Sequence, residues 1–326
     1  MLQFGYRRDY PPTPATPPGP GEDEQRWIRY SALPERPALR WPGAAPVALW
    51  VCVNVLHYEY LPPADPWLEC WTRMPAPDVM GFGRQEYGNR VGFHRIVQVM
   101  DRLGVRCTAI ANPLALELYP DIAEAIAERG WEVAGHGQCN TRFTYGLSAG
   151  QERAYYQAMQ DSVRRTTGQR MRGMGGPGPQ SATENTPDIL AELGYTYYTD
   201  FFCDEQPFDI DVRSGRLLSM PYSVELNDSP VLGSAFEADD FEEIVRRQFD
   251  RLHVEGLRSG RVMCVSVHPM LFGQPQRIGY LERALGHCLS RGGVWQATGS
   301  EIADHYLAVT PRPAGGGGGP GAASSG

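Results

Sequence analysis

The stretch VRCTAIANPLALELYPDIAEAIAERGWEVAGHG (105–137) places a helical segment between two short apolar runs. VRCTAIA has the β-branched, apolar character of a strand, and WEVAGHG returns to that character after PLALELYPDIAEAIAERG, whose apolar residues fall at helical spacing. Pro120 interrupts the middle segment, because proline removes a helix donor and clashes with the preceding turn, so a break is expected there. Strand, helix and strand in this order imply two parallel strands joined by a right-handed crossover.

The alternation continues in both directions. Upstream, VALWVCVNVL (47–56) is a continuous apolar run, as in a strand buried on both faces, and NRVGFHRIVQVMDRLG (89–104) is an amphipathic helix that stops on Gly104. Downstream come a polar amphipathic helix (151–168), a helix begun by Thr186-Pro187-Asp188 and ended by Gly194, and the strand-like YTYYTD (195–200). A helix over 238–259, a buried strand RVMCVSVHP (261–269), a helix over 278–293 and a last strand VWQAT (294–298) complete the series. At least six strand–helix units predict one parallel α/β barrel rather than two domains, with an open doubly wound sheet as the alternative.

With 326 residues, 42% of them hydrophobic and 21% charged, the chain can bury a large core as a single domain. A net charge of −8 without a run of Lys or Arg argues against nucleic acid or an anionic membrane as partner. The opening MLQFGYRRDYPPTPATPPGPG lacks the apolar stretch of a signal peptide, and no segment has about 20 consecutive apolar residues, so a cytoplasmic location is expected. Residues 1–40, densest in Pro and Gly over 1–26, read as an arm, 41–308 as the barrel, and 309–326 as a flexible Gly-rich tail. The seven cysteines (52, 70, 107, 139, 203, 264 and 288) contain no C-x-x-C pair, which excludes a zinc knuckle and argues against a disulfide framework. No G-x-G-x-x-G follows the first strand, no G-x-x-x-x-G-K-[ST] exists, and GGPGP (175–179) lies between the wrong elements for a phosphate cradle. A nucleotide cofactor is not expected.

In parallel α/β barrels the chemistry sits at the C-terminal ends of strands. That rule collects His57-Tyr58-Glu59 after the first strand, His136 and Asn140 from WEVAGHGQCN, and Arg172 from the next unit. It adds Asp200 and Asp204 from YTYYTDFFCDEQP and His268 from VMCVSVHP. A single strand-end histidine is more often a satisfied polar residue than a catalyst. The convergence of three of the seven histidines with several carboxylates weakens that reading. Other features have plainer explanations. Trp67 and Trp71, in the Pro-rich loop 61–80, could stack on a sugar but equally pack on the barrel mouth or a neighbouring subunit. Asn89 and Arg90 are read as fixing a helix start and subunit contacts, and Tyr195, Tyr197, Tyr198, Phe201 and Phe202 as buried strand.

The motifs EYGNRVGFHRIVQVMDRLGV (86–105), WEVAGHG (131–137), RGMGGPGPQSATENTPDILAELGYTYYTDFFCDEQPF (172–208), MPYSVELND (220–228) and VHPMLFGQPQRI (267–278) carry a resemblance. Over roughly residues 45–305 their order resembles the polysaccharide deacetylase (NodB-homology) superfamily, whose fold is an irregular (β/α)7 barrel. The nearer likeness is to the intracellular branch with cofactor-independent bacterial allantoinases and cyclic imide hydrolases, commonly tetramers. The resemblance therefore implies a homo-oligomer, a small-molecule substrate, and hydrolysis of carbon–nitrogen bonds other than peptide bonds. A typical deacetylase has two aspartates and a His-x-x-x-His that binds a metal. Here the matching residues are His57-Tyr58-Glu59 and His136-Gly-Gln-Cys-Asn140. A Glu59–His136–Asn140 set would hold a divalent ion such as zinc only weakly, because a neutral amide is a poor zinc ligand, so no cofactor is expected.

Without metal-bound water an unactivated N-acetyl group is hard to hydrolyse, whereas a cyclic amide, imide or ureide has a more electrophilic carbon and a better leaving nitrogen. By resemblance, His268 would serve as general acid, His136 assisted by Glu59 would orient or deprotonate water, Arg172 would steady Asp204 or the substrate carbonyl, and His57 would line the pocket. Two alternatives stand beside this reading. One is a metal-dependent deacetylase of a small N-acetylated sugar. The other is an inactive ligand-binding barrel, against which the joint presence of His136, Arg172, Asp204 and His268 counts.

Overall fold

The computed structural model describes residues 26–62, 76–177, 182–234 and 236–312. After β1 (Val47–Val55), α1 (Val79–Tyr87) runs through a π-turn (Gly88–Gly92) directly into α2 (Phe93–Leu103). The helix thus begins ten residues before Asn89, and Asn89 and Arg90 lie inside it rather than at its start. Gly104, at φ 64°, ends α2 in the left-handed conformation that glycine adopts without strain. Then follow β2 (Thr108–Ala111), α3 (Pro113–Leu118), α4 (Pro120–Glu128) and β3 (Glu132–His136), with the helical segment broken at Pro120 as the sequence predicts. The chain continues through α5 (Ala149–Thr167), β4 (Gly173–Gly175), α6 (Thr186–Glu192), β5 (Tyr197–Tyr198), β6 (Phe208–Ile210), β7 (Leu217–Ser219), α7 (Asp228–Gly233) and α8 (Ala238–Gly256). It closes with β8 (Arg261–Val267), α9 (Pro269–Phe272), α10 (Ile278–Ser290), β9 (Val294–Gln296) and α11 (Gly299–Val309).

The strands form one curled sheet in the order β6-β7-β5-β4-β3-β2-β1-β8, all parallel except β6, with β9 added to the first half of β1. Among the described residues β7 and β8 do not pair as a ladder. The segment after β7 bridges the seam instead, the Ser266 N–H donating to the Leu226 carbonyl at 2.9 Å. The result is the α/β barrel expected from the strand–helix alternation, irregular as the resemblance implies, with its seam left incompletely closed.

β1 is apolar but for Asn54 because both its faces are covered, and the buried Asn54 amide donates to Ser266 Oγ at 2.8 Å and the Val267 carbonyl at 3.1 Å. Val47, Leu49, Val51, Val53 and Val55 face the helices, while Ala48, Trp50 and Cys52 fill the interior with Tyr197, Leu218, Met220 and Cys264. The buried Trp50 indole keeps a partner there, donating to Thr108 Oγ1 at 2.8 Å. Glu132 blocks one end of the interior, accepting from Thr108, Tyr197 and the Ser300 backbone at the start of α11. Residues 26–40 lie on the barrel rather than apart from it. Arg26 pairs with Asp188, Arg36 with Asp204, and Leu39 is buried. Tyr195, Tyr197 and Tyr198 are buried, whereas only the last two belong to β5 and Phe202 is exposed. Trp67 and Trp71 lie outside the described residues. Among the described residues no helix is long and apolar enough to cross a membrane.

Candidate active site at the C-terminal strand ends

β8 delivers His268 to the barrel mouth, and the following Pro269 favours the extended backbone it adopts (φ −107°, ψ 127°) before α9 turns away. Its ring Nδ1 lies 2.6 Å from Asp228 Oδ1, while its backbone N–H donates to Asp228 Oδ2 at 2.8 Å. Asp228 is fully buried at the first position of α7, whose N-cap Asn227 accepts the Ser229 N–H and so fixes the turn that aims the carboxylate. A carboxylate on Nδ1 assigns the proton to that nitrogen and leaves Nε2 as the acceptor.

β3 ends in His136. Burial, and secondarily the charge His268 would carry, push its pKa down to about 3, so the ring is neutral at neutral pH. Asp200, two residues past β5, is held by the Tyr198 hydroxyl at 2.8 Å and the Gly176 N–H at 3.0 Å, and burial nevertheless raises its pKa to about 6. Gly175 at the end of β4 leaves space between these groups. A Cβ there would stand 3.3 Å from Asp200 Oδ1 and 3.8 Å from His136 Nδ1, and against Thr199 Oγ1 at 2.5 Å. Asn112, after β2, staples the loops together by accepting the His57 N–H at 2.8 Å and donating to the Gly137 carbonyl at 3.1 Å and Asn140 Oδ1 at 3.2 Å.

Of the residues expected from sequence, the structure therefore gathers His136, Asp200 and His268. Glu59 and Asn140 stay at the mouth but are held by protein groups, and His57, Arg172 and Asp204 stand apart. Glu59 does not assist His136. Its carboxylate accepts from Arg142 at 2.8 Å and Thr141 at 2.6 Å, with the Cys139 thiol at 3.7 Å, and Arg142 holds its pKa below the usual carboxylate value. Arg172 precedes β4, at the start of that strand and the opposite end of the barrel, and pairs with Asp304 instead of Asp204. Asp204 pairs with Arg36 and caps the Gln206 N–H, in a segment already running beside the start of β8, where Val262 donates to the Glu205 carbonyl. His57 forms a separate wall with Phe82 and Tyr119, its ring kept toward the neutral form by burial.

The metal implied by the resemblance does not fit this donor set. Glu59 is committed as above, and the Asn140 amide is engaged by Asn112 and Tyr58. Among the described residues no three His, Cys, Asp or Glu side chains gather to hold an ion. Asp228 was not singled out from sequence because it follows no strand. The signal was Asn227 before an acidic first turn at the end of MPYSVELND.

Residues 86–198 match the family model for polysaccharide deacetylase. A Schizosaccharomyces pombe protein named for the same family is 28% identical over 252 residues, 70% of this chain and 77% of the relative. A Pseudomonas aeruginosa crystal structure carrying that family name is 26% identical with a TM-score of 0.75, covering 85% of this chain and 96% of the other. The Puue allantoinase crystal structure is 25% identical with a TM-score of 0.74, covering 85% and 95%. Residues 86–198 thus carry the polysaccharide deacetylase (NodB-homology) match inside a barrel shared with these neighbours over 85% of the chain, and both point to a carbon–nitrogen hydrolase.

Proposed function

We propose that the chain opens the ring of a cyclic amide, imide or ureide by hydrolysis. The observation that carries this reading is the His268–Asp228 pair beside a neutral His136, at a mouth whose Glu59 and Asn140 are bound to protein groups. In this reading His268 Nε2 accepts a proton from water as the water oxygen bonds to the carbonyl carbon. Asp228 stabilises the imidazolium that forms. The neutral His136 N–H polarises the carbonyl oxygen. The ring C–N bond then breaks and the proton passes from His268 to the leaving nitrogen, so that one water is consumed and a single ring-opened product carries both the new carboxylic acid and the freed amine, amide or urea nitrogen. A positioned acid–base group supplies on the order of 10²- to 10⁴-fold, and an activated ring carbonyl asks less of it than an unactivated N-acetyl group. The Puue allantoinase neighbour supports the same substrate class. The test is a panel of hydantoins, dihydropyrimidines, cyclic imides and allantoin beside N-acetylated sugars, with ring-opened acids or free acetate as the readout. Acetate release alone would point to the deacetylase reading.

A further inference from the structure

We propose that the π-turn Gly88–Gly92 is a positioning clamp for His268. Phe93 N–H bonds to the Gly88 carbonyl, one residue wider than an α-turn, and such turns are often found at functional sites. The widened turn lies against the start of α9, the two residues that follow His268. A Cβ at Gly88 would stand 2.9 Å from the Met270 nitrogen, and one at Gly92 would overlap the Pro269 carbonyl. A Cβ at Gly273, just past the end of α9, would likewise overlap the Gly92 backbone, so the turn packs backbone to backbone along α9 from Pro269 to Gly273. Gln85 Nε2 meets Met270 Sδ at 3.0 Å, and Arg95 joins the Gly273 carbonyl to the Tyr87 hydroxyl. The same turn reaches the end of β1, where Asn89 Nδ2 donates to the Leu56 carbonyl at 2.9 Å. Because His268 is bonded directly to Pro269, a shift of α9 moves the ring against Asp228, which α7 holds separately. Displacements of about 1 Å can cost on the order of 10²-fold in rate.

The inference rests on His268 as the proton-transfer residue. Its test therefore includes a readout that needs no substrate: the downfield proton resonance of the His268 Nδ1–H bonded to Asp228. Gly92→Ala and Gly88→Ala are expected to fold, to weaken or shift that resonance, and to lower kcat with KM unchanged within about twofold. The loss should approach 100-fold for Gly92→Ala and be smaller for Gly88→Ala. Gly83→Ala, one turn earlier and with nothing near its Cβ, should match the wild type in every measurement. A folded Gly92→Ala with wild-type resonance and turnover would overturn the clamp, as would loss of folding in both variants, which would assign the glycines to the core alone. If no cyclic substrate is turned over, the resonance still decides whether the turn positions His268.

Discussion

His268 Nδ1 and Asp228 Oδ1 stand 2.6 Å apart, and the second carboxylate oxygen accepts the His268 backbone N–H at 2.8 Å. Both oxygens of a fully buried carboxylate are thus spent on one residue, so ring orientation and backbone position are set together. Asp228→Asn removes the charge that stabilises the imidazolium while keeping the side chain's shape. Turnover is expected to fall on the order of 10²- to 10⁴-fold with KM nearly unchanged. His268→Ala should differ by leaving a buried carboxylate without its ring, costing about 3–5 kcal/mol as well as activity. Thermal melts beside steady-state kinetics on both variants check the contrast.

Asp200 makes the pH dependence specific. Its pKa of about 6 lies above the usual 3.8, so in the folded protein it loses its proton only as pH rises through about 6. His136, with a pKa near 3, does not titrate in that window. If ionised Asp200 acts on the groups around Gly175, kcat/KM rises through pH 6, and Asp200→Asn removes that limb. The stability sign follows from the raised pKa. The folded state holds the proton more tightly, so stability is lost as pH rises from about 4 to 6, and Asp200→Asn should melt no lower than wild type at pH 8.

Glu59→Gln separates a metal-ligand role from a structural one. Its partner Arg142 is largely exposed, so the pair is worth about 1 kcal/mol or less, and turnover is expected to stay within about threefold of wild type in the presence of chelator. Loss of turnover on chelation, restored by zinc, would contradict this placement.

The barrel was legible because its strands are covered on both faces and read as predominantly apolar runs, as β1 and β8 do. The strand-end rule located His136, Asp200 and His268 for the same reason. It misplaced Arg172 because β4 is only three residues, Gly173–Gly175, whose direction relative to the arginine its composition does not reveal. Asp204 was misjudged because the chain leaves the mouth within four residues of Asp200, and Asp228 was passed over because it starts a six-residue helix far from its partner in sequence.

Arg172→Ala tests the corrected position. The Arg172–Asp304 pair links the start of β4 to α11, away from the mouth, so the variant should melt at a lower temperature and keep kcat and KM. A large loss of kcat with an unchanged melt would return Arg172 to the site.

The most direct test of the central claim is ring opening of cyclic amides, imides and ureides in ¹⁸O-labelled water with chelator present, run in parallel on the wild type and Asp228→Asn. The account predicts that the wild type releases a ring-opened acid carrying one label from water, and that Asp228→Asn does so at least about 100-fold more slowly. Ring opening by Asp228→Asn at the wild-type rate, or hydrolysis confined to N-acetylated sugars and dependent on added metal, would contradict it.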